Sequence, residues 1–277
     1  MHVVNEPAPM PPTIHGVPLS QPFRSVVWPC LIKGLEFRLE IATPGAGASG
    51  KYSTRRSEYL SRFPLGTVPS MEDTADDGSK ICISEAPAIL ACLAAKNGWS
   101  DIYPIDISAR AKVDEYLHWH HSNLRSVSRG FFRPRVFPHA LLSEDVISVH
   151  KREALHALKV LERSYLRSND GFLLGTSHPT AADFMAYEEI VQLQMCNLDS
   201  LDHNYPNIYA WTIRMRSLPF HNNVHAALEQ LGDLNEDSTT SSDPPMMMER
   251  LALASKVGLK ALKAGMQEQE AMPSAKL

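Results

Sequence analysis

Apolar positions recur with a short, changing period in the first third of the chain and with a steady helical one after it. Thr13 to Pro18 reads as a short strand. Gln21 to Lys33 reads as a helix, with Pro22 in the first turn where a missing N–H removes no bond. Glu36 to Ile41 alternates as a strand does, and Gly45 to Ser53, rich in Gly, Ser and Ala, reads as a loop. Val68 to Glu72 and Lys80 to Ile83 predict two strands around the turn Asp76-Asp77-Gly78. Glu85 to Asn97 is helical, with Gly98 placed as its C′ residue. Beyond about residue 104, Val113, Leu117, His120, Leu124 and Val127 keep helical spacing, as do Ala154, Leu158, Leu161 and Tyr165. Thr180 to Cys196 and Asn207 to Leu218 are further helical segments bounded by prolines.

These elements predict a mixed βαβ–ββα unit over 13–97, a linker at 98–106 and an all-helical unit over 107–232. Six of the 20 prolines, at 7, 9, 11, 12, 18 and 22, crowd the start, so residues 1–12 read as a loose arm. Residues 233–277 open on the polar run Asn235-Glu-Asp-Ser-Thr-Thr-Ser-Ser-Asp-Pro-Pro, a low-complexity linker. Glu249 to Gly265 then fits an amphipathic helix, and Met246-Met247-Met248 before it fits a hydrophobic docking patch rather than a metal surface.

Charge and cysteine content narrow the function. Lysine and arginine (27) nearly balance aspartate and glutamate (31), which argues against a nucleic-acid or anionic-membrane binder. No apolar run approaches the ~20 residues of a membrane span, and no basic stretch followed by an apolar one opens the chain as a secretory leader would. Cys30, Cys82, Cys92 and Cys196 form no C-x-x-C pair, and their scatter fits reduced thiols inside a cell. His118 and His121 share a helix face with His120 nearby, but no carboxylate or cysteine completes a ligand set, so no metal is expected.

Five segments, in order, carry a resemblance. They are Leu19-Ser20-Gln21-Pro22-Phe23-Arg24-Ser25-Val26, Gly66-Thr67-Val68-Pro69 and Ser84-Glu85-Ala86-Pro87-Ala88-Ile89-Leu90, then Tyr103-Pro104-x-Asp106 continuing through Arg110-Ala111-Lys112-Val113-Asp114-Glu115-Tyr116-Leu117-x-Trp119, and Pro179-Thr180-Ala181-Ala182-Asp183. They lie in order between residues 19 and 183, and over residues 13–232 the chain resembles the theta class of the glutathione S-transferases. The resemblance implies an N-terminal thioredoxin-like domain that binds glutathione, followed by an all-α domain supplying the pocket for a small hydrophobic electrophile. It also implies a cytoplasmic homodimer and a glutathione transferase acting without a metal.

Ser20, where strand gives way to helix, is the implied catalytic residue. A free thiol titrates near about 8.5, so lowering it by about two units needs roughly 2.7 kcal/mol of preference for the anion. One hydroxyl hydrogen bond to a charged acceptor supplies about 1.5–3 kcal/mol and a helix N-terminus about 0.3–1 more. The plain alternative is a serine that caps its own helix. Ser25, a turn further on, is a weaker candidate, and Arg24 resembles a structural arginine.

The same resemblance places a cis peptide at Val68-Pro69 and assigns glutathione contacts to Thr67, Val68, Pro69, Glu85 and Ala86. Two of these depart from the family pattern. Thr67 stands where a basic residue is usual, and Ala86 lacks the usual hydroxyl, although its backbone N–H at a helix start still favours a carboxylate. A ligand histidine expected some fifteen residues before Pro69 is replaced by Ser53-Thr54, leaving Thr54 and one of Lys51, Arg55 or Arg56 to meet the glycine carboxylate. Gln21 and Arg125 complete the implied contacts, Arg125 lying on the long helix after the linker. Thr180 and Asp183 read as a capping box worth about 1 kcal/mol. The final Ala275-Lys276-Leu277 is a conservative variant of a peroxisomal address. Two alternatives stand beside the transferase: a ligand-binding protein of the same fold without turnover, and a glutathione-dependent isomerase or lyase.

Overall fold

The computed structural model describes residues 10–45, 49–75, 77–137, 142–167, 171–196, 201–234 and 244–271. Most of the proline-rich arm, the polar linker at 235–243 and the Ala-Lys-Leu tail lie outside them.

A four-stranded sheet in the order β2-β1-β3-β4 carries the first unit: β1 (Thr13–Gly16), β2 (Arg38–Ile41), β3 (Ser70–Thr74) and β4 (Lys80–Ser84). β1 runs parallel to β2, joined by α1 (Gln21–Ile32), and antiparallel to β3, which hairpins into β4. This mixed βαβ–ββα sheet is the expected one, although β3 begins two residues later than the pattern predicts because the Val68–Pro69 turn occupies its entry. One face of the sheet, Ile14 and Met71, packs on α1 and α3 (Ala86–Asn97). The other face turns His15 edge-on to Tyr59 and Phe63, the small core under α2 (Ser57–Leu60). α3 ends on Gly98 in the left-handed region at φ 68, a C′ geometry open to glycine without strain.

Helices fill the rest: α4 (Ile107–Ser122), α5 (Arg133–Val136), α6 (Glu144–Val160), α7 (Ala181–Met195), α8 (Leu201–Asn204), α9 (Pro206–Arg216), α10 (His221–Leu231) and α11 (Pro244–Ala271). The apolar spacing through Val127 predicts one continuous helix, but α4 stops at Ser122, where Asn123 leaves the helical region at φ −120, ψ −75. A π-helical stretch, Ser128–Phe132, then resumes the path. α10 falls on a stretch that the sequence pattern leaves unassigned, and α11 runs well past both ends of the predicted helix.

α7 is the hub, buried along nearly its whole length and packed on α1, α4 and α9. Thr180 caps it and Asp183 reciprocates, its carboxylate accepting from the Thr180 N–H at 2.8 Å while its second oxygen takes the Leu173 N–H and the Trp211 indole. Trp28 of α1, fully buried, donates its indole N–H to the Pro219 carbonyl and stacks edge-on with Phe184 and His225. This seam ties the sheet unit to the helices. Of the three methionines that lead α11, Met247 joins the core while Met246 and Met248 stay exposed, so the run is half anchor and half surface.

Candidate active site

Three chain ends meet at one edge of the sheet. The C-terminal end of β1 leads into Ser20, the N-terminal end of β3 follows Pro69, and the C-terminal end of β4 leads into Glu85. The register brings them together, since His15 faces Ser70 and Ser70 faces Ser84. The Ser70 hydroxyl also bonds the Ser84 hydroxyl at 2.9 Å, stitching the last two ends.

Ser20 closes a turn in which its N–H donates to the Val17 carbonyl at 2.9 Å. It occupies the N-cap position of α1 in extended conformation, yet its hydroxyl makes no cap hydrogen bond. A capping serine spends its oxygen on the first-turn N–H groups. Here the half-buried hydroxyl is left over at the positive end of the helix dipole. Ser25 is spent differently: fully buried, its hydroxyl bonds the Pro22 carbonyl and the Met185 sulfur.

Below this turn lies a buried ionic relay. Arg24 donates through Nη1 to the Pro18 carbonyl at 2.9 Å and through Nε to Glu188 Oε2 at 2.5 Å. The other Glu188 oxygen meets His225 Nε2 at 3.0 Å. All three side chains are essentially inaccessible. Burial pushes the Glu188 carboxyl up, but Arg24 and His225 outweigh it and hold it below the usual range.

A second network approaches from the side. Arg125 Nη1 donates both to Gln21 Oε1 and, at 2.8 Å, to Glu189 Oε1. Glu189 Oε2 accepts from the Ser128 N–H at 3.1 Å and the Ser128 hydroxyl at 2.6 Å, and that hydroxyl also meets Gln192. Arg125 is not on the long helix, as the resemblance implies, but in the turn after it, its N–H bonded to the His120 carbonyl at 3.0 Å. Gln21 is buried, and with its oxygen held by Arg125 its Nε2 is left without a partner. A buried amide donor left unpaired costs about 1–3 kcal/mol, which a bound acceptor recovers.

The third part is the turn Gly66-Thr67-Val68-Pro69, with a cis Val68–Pro69 bond. Its Thr67 carbonyl accepts from the Tyr59 hydroxyl at 2.8 Å and the Ser70 hydroxyl at 3.1 Å. Gly66, at φ 60, is hemmed in: an added Cβ would lie 3.3 Å from both the Thr54 carbonyl and Arg55 Nη1. Thr54 is fully buried beside it with its hydroxyl unpartnered. Among the three candidate cations, Arg56 bonds the Lys51 carbonyl and pairs with Glu58, and Lys51 stands over the Tyr52 ring. Arg55 is exposed beside Gly66 and makes no ion pair among the described residues. Glu85, also exposed, takes φ 75, ψ 118 as the N-cap of α3 without a side-chain cap bond, so it is a strained non-glycine residue outside the helix rather than a first-turn glutamate. Ala86 is buried behind it.

The structure thus gathers Ser20, Gln21 and Arg125 on one side of the edge, with the Thr67–Pro69 turn, Thr54 and the start of α3 on the other. Thr180 and Asp183 stay away from it, in the α7 cap. His120 is buried against Tyr116 while His118 is exposed, and no group of three His, Cys, Asp or Glu able to hold a metal occurs among the described residues. No helix among them is long and apolar enough to cross a membrane. Sequence reasoning missed Glu188, Glu189, Ser128 and His225. Two adjacent glutamates inside the apolar run of α7 were the available signal, because such carboxylates are seldom buried unless paired.

Comparison with known proteins bears on the fold and the family of the chain. The family model for the glutathione S-transferase C-terminal domain matches residues 132–219. Glutathione S-transferase T1 of Arabidopsis thaliana is 30 % identical over 219 residues, covering 76 % of this chain and 79 % of its own length. Glutathione S-transferase theta-3 of Mus musculus is 30 % identical, covering 72 % of this chain and 79 % of its own. Among solved structures, apo human glutathione S-transferase T1-1 superposes with a TM-score of 0.66 at 24 % identity, covering 89 % of this chain and 99 % of that one. With a thioredoxin-like sheet unit, a helical second unit and these relatives, the chain belongs to the theta class of the glutathione S-transferase family.

Proposed function

We propose that the chain conjugates glutathione to a small hydrophobic electrophile, with the Ser20 hydroxyl donating a hydrogen bond to the glutathione thiolate. The observation that carries this reading is the uncapped Ser20 hydroxyl at the N-terminus of α1. A single donor there supplies about 1.5–3 kcal/mol for a charged acceptor, and the helix end adds to it. In this reading Ser20 is no nucleophile: the sulfur attacks and the serine keeps its proton.

The peptide of glutathione lies against the Thr67–Pro69 turn, its γ-glutamyl end at Glu85 and the Ala86 N–H, and its glycine carboxylate near Thr54 and Arg55. The unpaired Gln21 Nε2 and Arg125 bound the side from which the electrophile enters, and halogenated and peroxidic compounds suit a serine site of this type. The enzyme works as a homodimer in this reading, with the sheet unit of one subunit against the helical unit of the other.

Conjugation of an electrophile panel by wild type and Ser20→Ala tests the assignment. The variant is expected to lose about 10- to 100-fold in kcat/KM at neutral pH, with its rate–pH profile moved to higher pH because the thiol is less readily ionised. Unchanged turnover in Ser20→Ala would remove Ser20 from the mechanism. A second reading, binding without turnover, has Ala86 and Thr67 in its favour, since both give up a side-chain contact to the peptide. Wild type that retains glutathione yet converts none of the panel would establish it.

A further inference from the structure

The transferase reading leaves α11 without a task, although it is the longest helix described. Met247, Leu251, Ala254 and Leu262 bury one face of it, largely against α10. In the middle of that face stands Gly258. A glycine inside a helix costs about 1 kcal/mol relative to alanine, and Gly258 has no positive φ to justify it. The reason is approach: an added Cβ would stand 2.6 Å from the Ala227 Cβ of α10 and 2.8 Å from the Pro18 Cβ. Both neighbours are atoms fixed to backbone, so neither can swing away. The α11 backbone therefore rests directly on Pro18, two residues before Ser20.

Pro18 is gripped from another direction as well. Its carbonyl receives Arg24 Nη1 at 2.9 Å, and Arg24 is locked by Glu188 and through it by His225 of α10. The same α10 carries Ala227, against which Gly258 packs. α11 is fastened to α10 further along by Asn223 Nδ2, which donates to the Ala261 carbonyl at 3.2 Å, and by Arg250, which bonds the Leu231 carbonyl at 2.7 Å. The short turn closed by Ser20 N–H and the Val17 carbonyl lies between these two holds.

We infer that Gly258 is a positioning residue for the reaction: by letting α11 seat on Pro18, it fixes the turn that aims the Ser20 hydroxyl. This rests on the reading of Ser20 given above. A hydrogen bond to a thiolate is useful only when aimed, and a displacement of about 1 Å at such a group costs up to about 100-fold in rate.

The test compares Gly258→Ala and Gly258→Val with Gly265→Val in the full-length protein. Gly265 is a control on the same face, where an added Cβ would lie 3.0 Å from the Asn223 Cβ and away from Pro18. Thermal unfolding reports folding, the ultraviolet absorbance of bound glutathione thiolate reports its ionisation, and kcat and KM are measured for one electrophile. Gly258→Ala is expected to raise the pH midpoint of thiolate formation by about one unit and to lower kcat about ten-fold near neutral pH. Gly265→Val is expected to unfold earlier while keeping that midpoint. The inference is overturned if Gly258→Ala leaves the midpoint in place, or if Gly265→Val moves it equally. Should Gly258→Val fail to fold, Gly258→Ala decides alone. Ser20→Ala, run alongside, separates the two claims. If it titrates like wild type, the Ser20 reading falls and takes this inference with it. If it shifts while Gly258→Ala does not, only the role of Gly258 falls.

Discussion

The two halves of the site are built from different materials. On the serine side, the Pro18–Ser20 turn is held by groups with no access to water: Arg24, Glu188 and His225, drawn from α1, α7 and α10. On the cis-proline side, the turn is held by backbone conformation and neutral hydrogen bonds from Tyr59 and Ser70, and the charges around it are exposed. Buried charges are stiff because each loses several kcal/mol when its partner leaves. Exposed ones are adaptable because water replaces the partner. The serine side therefore suits an atom that must be aimed, and the cis-proline side a flexible charged peptide that must be gripped and released.

The sharpest way to break this contrast is to remove one buried partner. Glu188→Gln strips the counter-charge from Arg24, whose Nη2 already lacks a partner. An uncompensated charge at such a depth is expected to cost about 3–5 kcal/mol of unfolding free energy, and denaturant unfolding measures it. A loss below about 1 kcal/mol, the range of exposed pairs, would show that the relay is no stiffer than the surface on the other side.

Acid sharpens the same comparison. Burial, helped by the nearby charge of Arg125, holds His120 down at about 3. Burial, helped by His225, holds His221 down at about 4. Both values lie below the ordinary 6.5, so protons bind the unfolded chain more readily, and folded stability falls as pH drops from about 6.5 toward 4. The two groups together are expected to remove about 2–5 kcal/mol over that range. Both belong to the helical side of the molecule. His15, the buried imidazole beneath the cis-proline side, is also lowered by burial, but Glu72 opposes the shift. His120→Leu gives up only a 3.4 Å bond to Tyr116 and an unpartnered Nε2, so it is expected to flatten the acid limb at little cost near pH 7. An acid limb as steep in His120→Leu as in wild type would refute this account of it.

What the amino-acid pattern made legible follows the same division. Strand and helix periods, the Pro22 start, the Gly98 stop and the Thr180–Asp183 cap are local signals, and the fold follows from them. Ser20, Val68 and Pro69 were legible through a resemblance carried by short contiguous segments. The Glu188–Arg24 and Glu189–Arg125 pairs were not, since they join residues 164 and 64 positions apart. Nothing at Arg24 announces which helix will neutralise it. The break of α4 at Asn123 was hidden for another reason. Apolar residues persist through Val127 and satisfy the helical period, while the π-helical stretch that follows re-aims Ser128 onto Glu189 without disturbing that pattern.

The smallest predicted effect probes the adaptable side. Arg55 is exposed beside Gly66 and has no ion pair among the described residues, whereas Arg56 is already engaged by the Lys51 carbonyl and Glu58. If the glycine carboxylate of glutathione meets Arg55, the pair belongs to the exposed class worth about 0.2–1 kcal/mol. Arg55→Ala is then expected to raise KM for glutathione about two- to five-fold, with kcat and thermal stability unchanged, because no buried group loses a partner. Arg56→Ala is expected to leave KM alone. Salt supplies an independent check, since a solvent-exposed pair is screened within a Debye length of about 8 Å at physiological ionic strength. Added salt should raise the wild-type KM toward that of Arg55→Ala while leaving the variant nearly level. A KM for Arg55→Ala equal to wild type at low salt would transfer the carboxylate contact to the buried Thr54 hydroxyl, and the cis-proline side would then bind its ligand through buried groups just as the serine side aims its own.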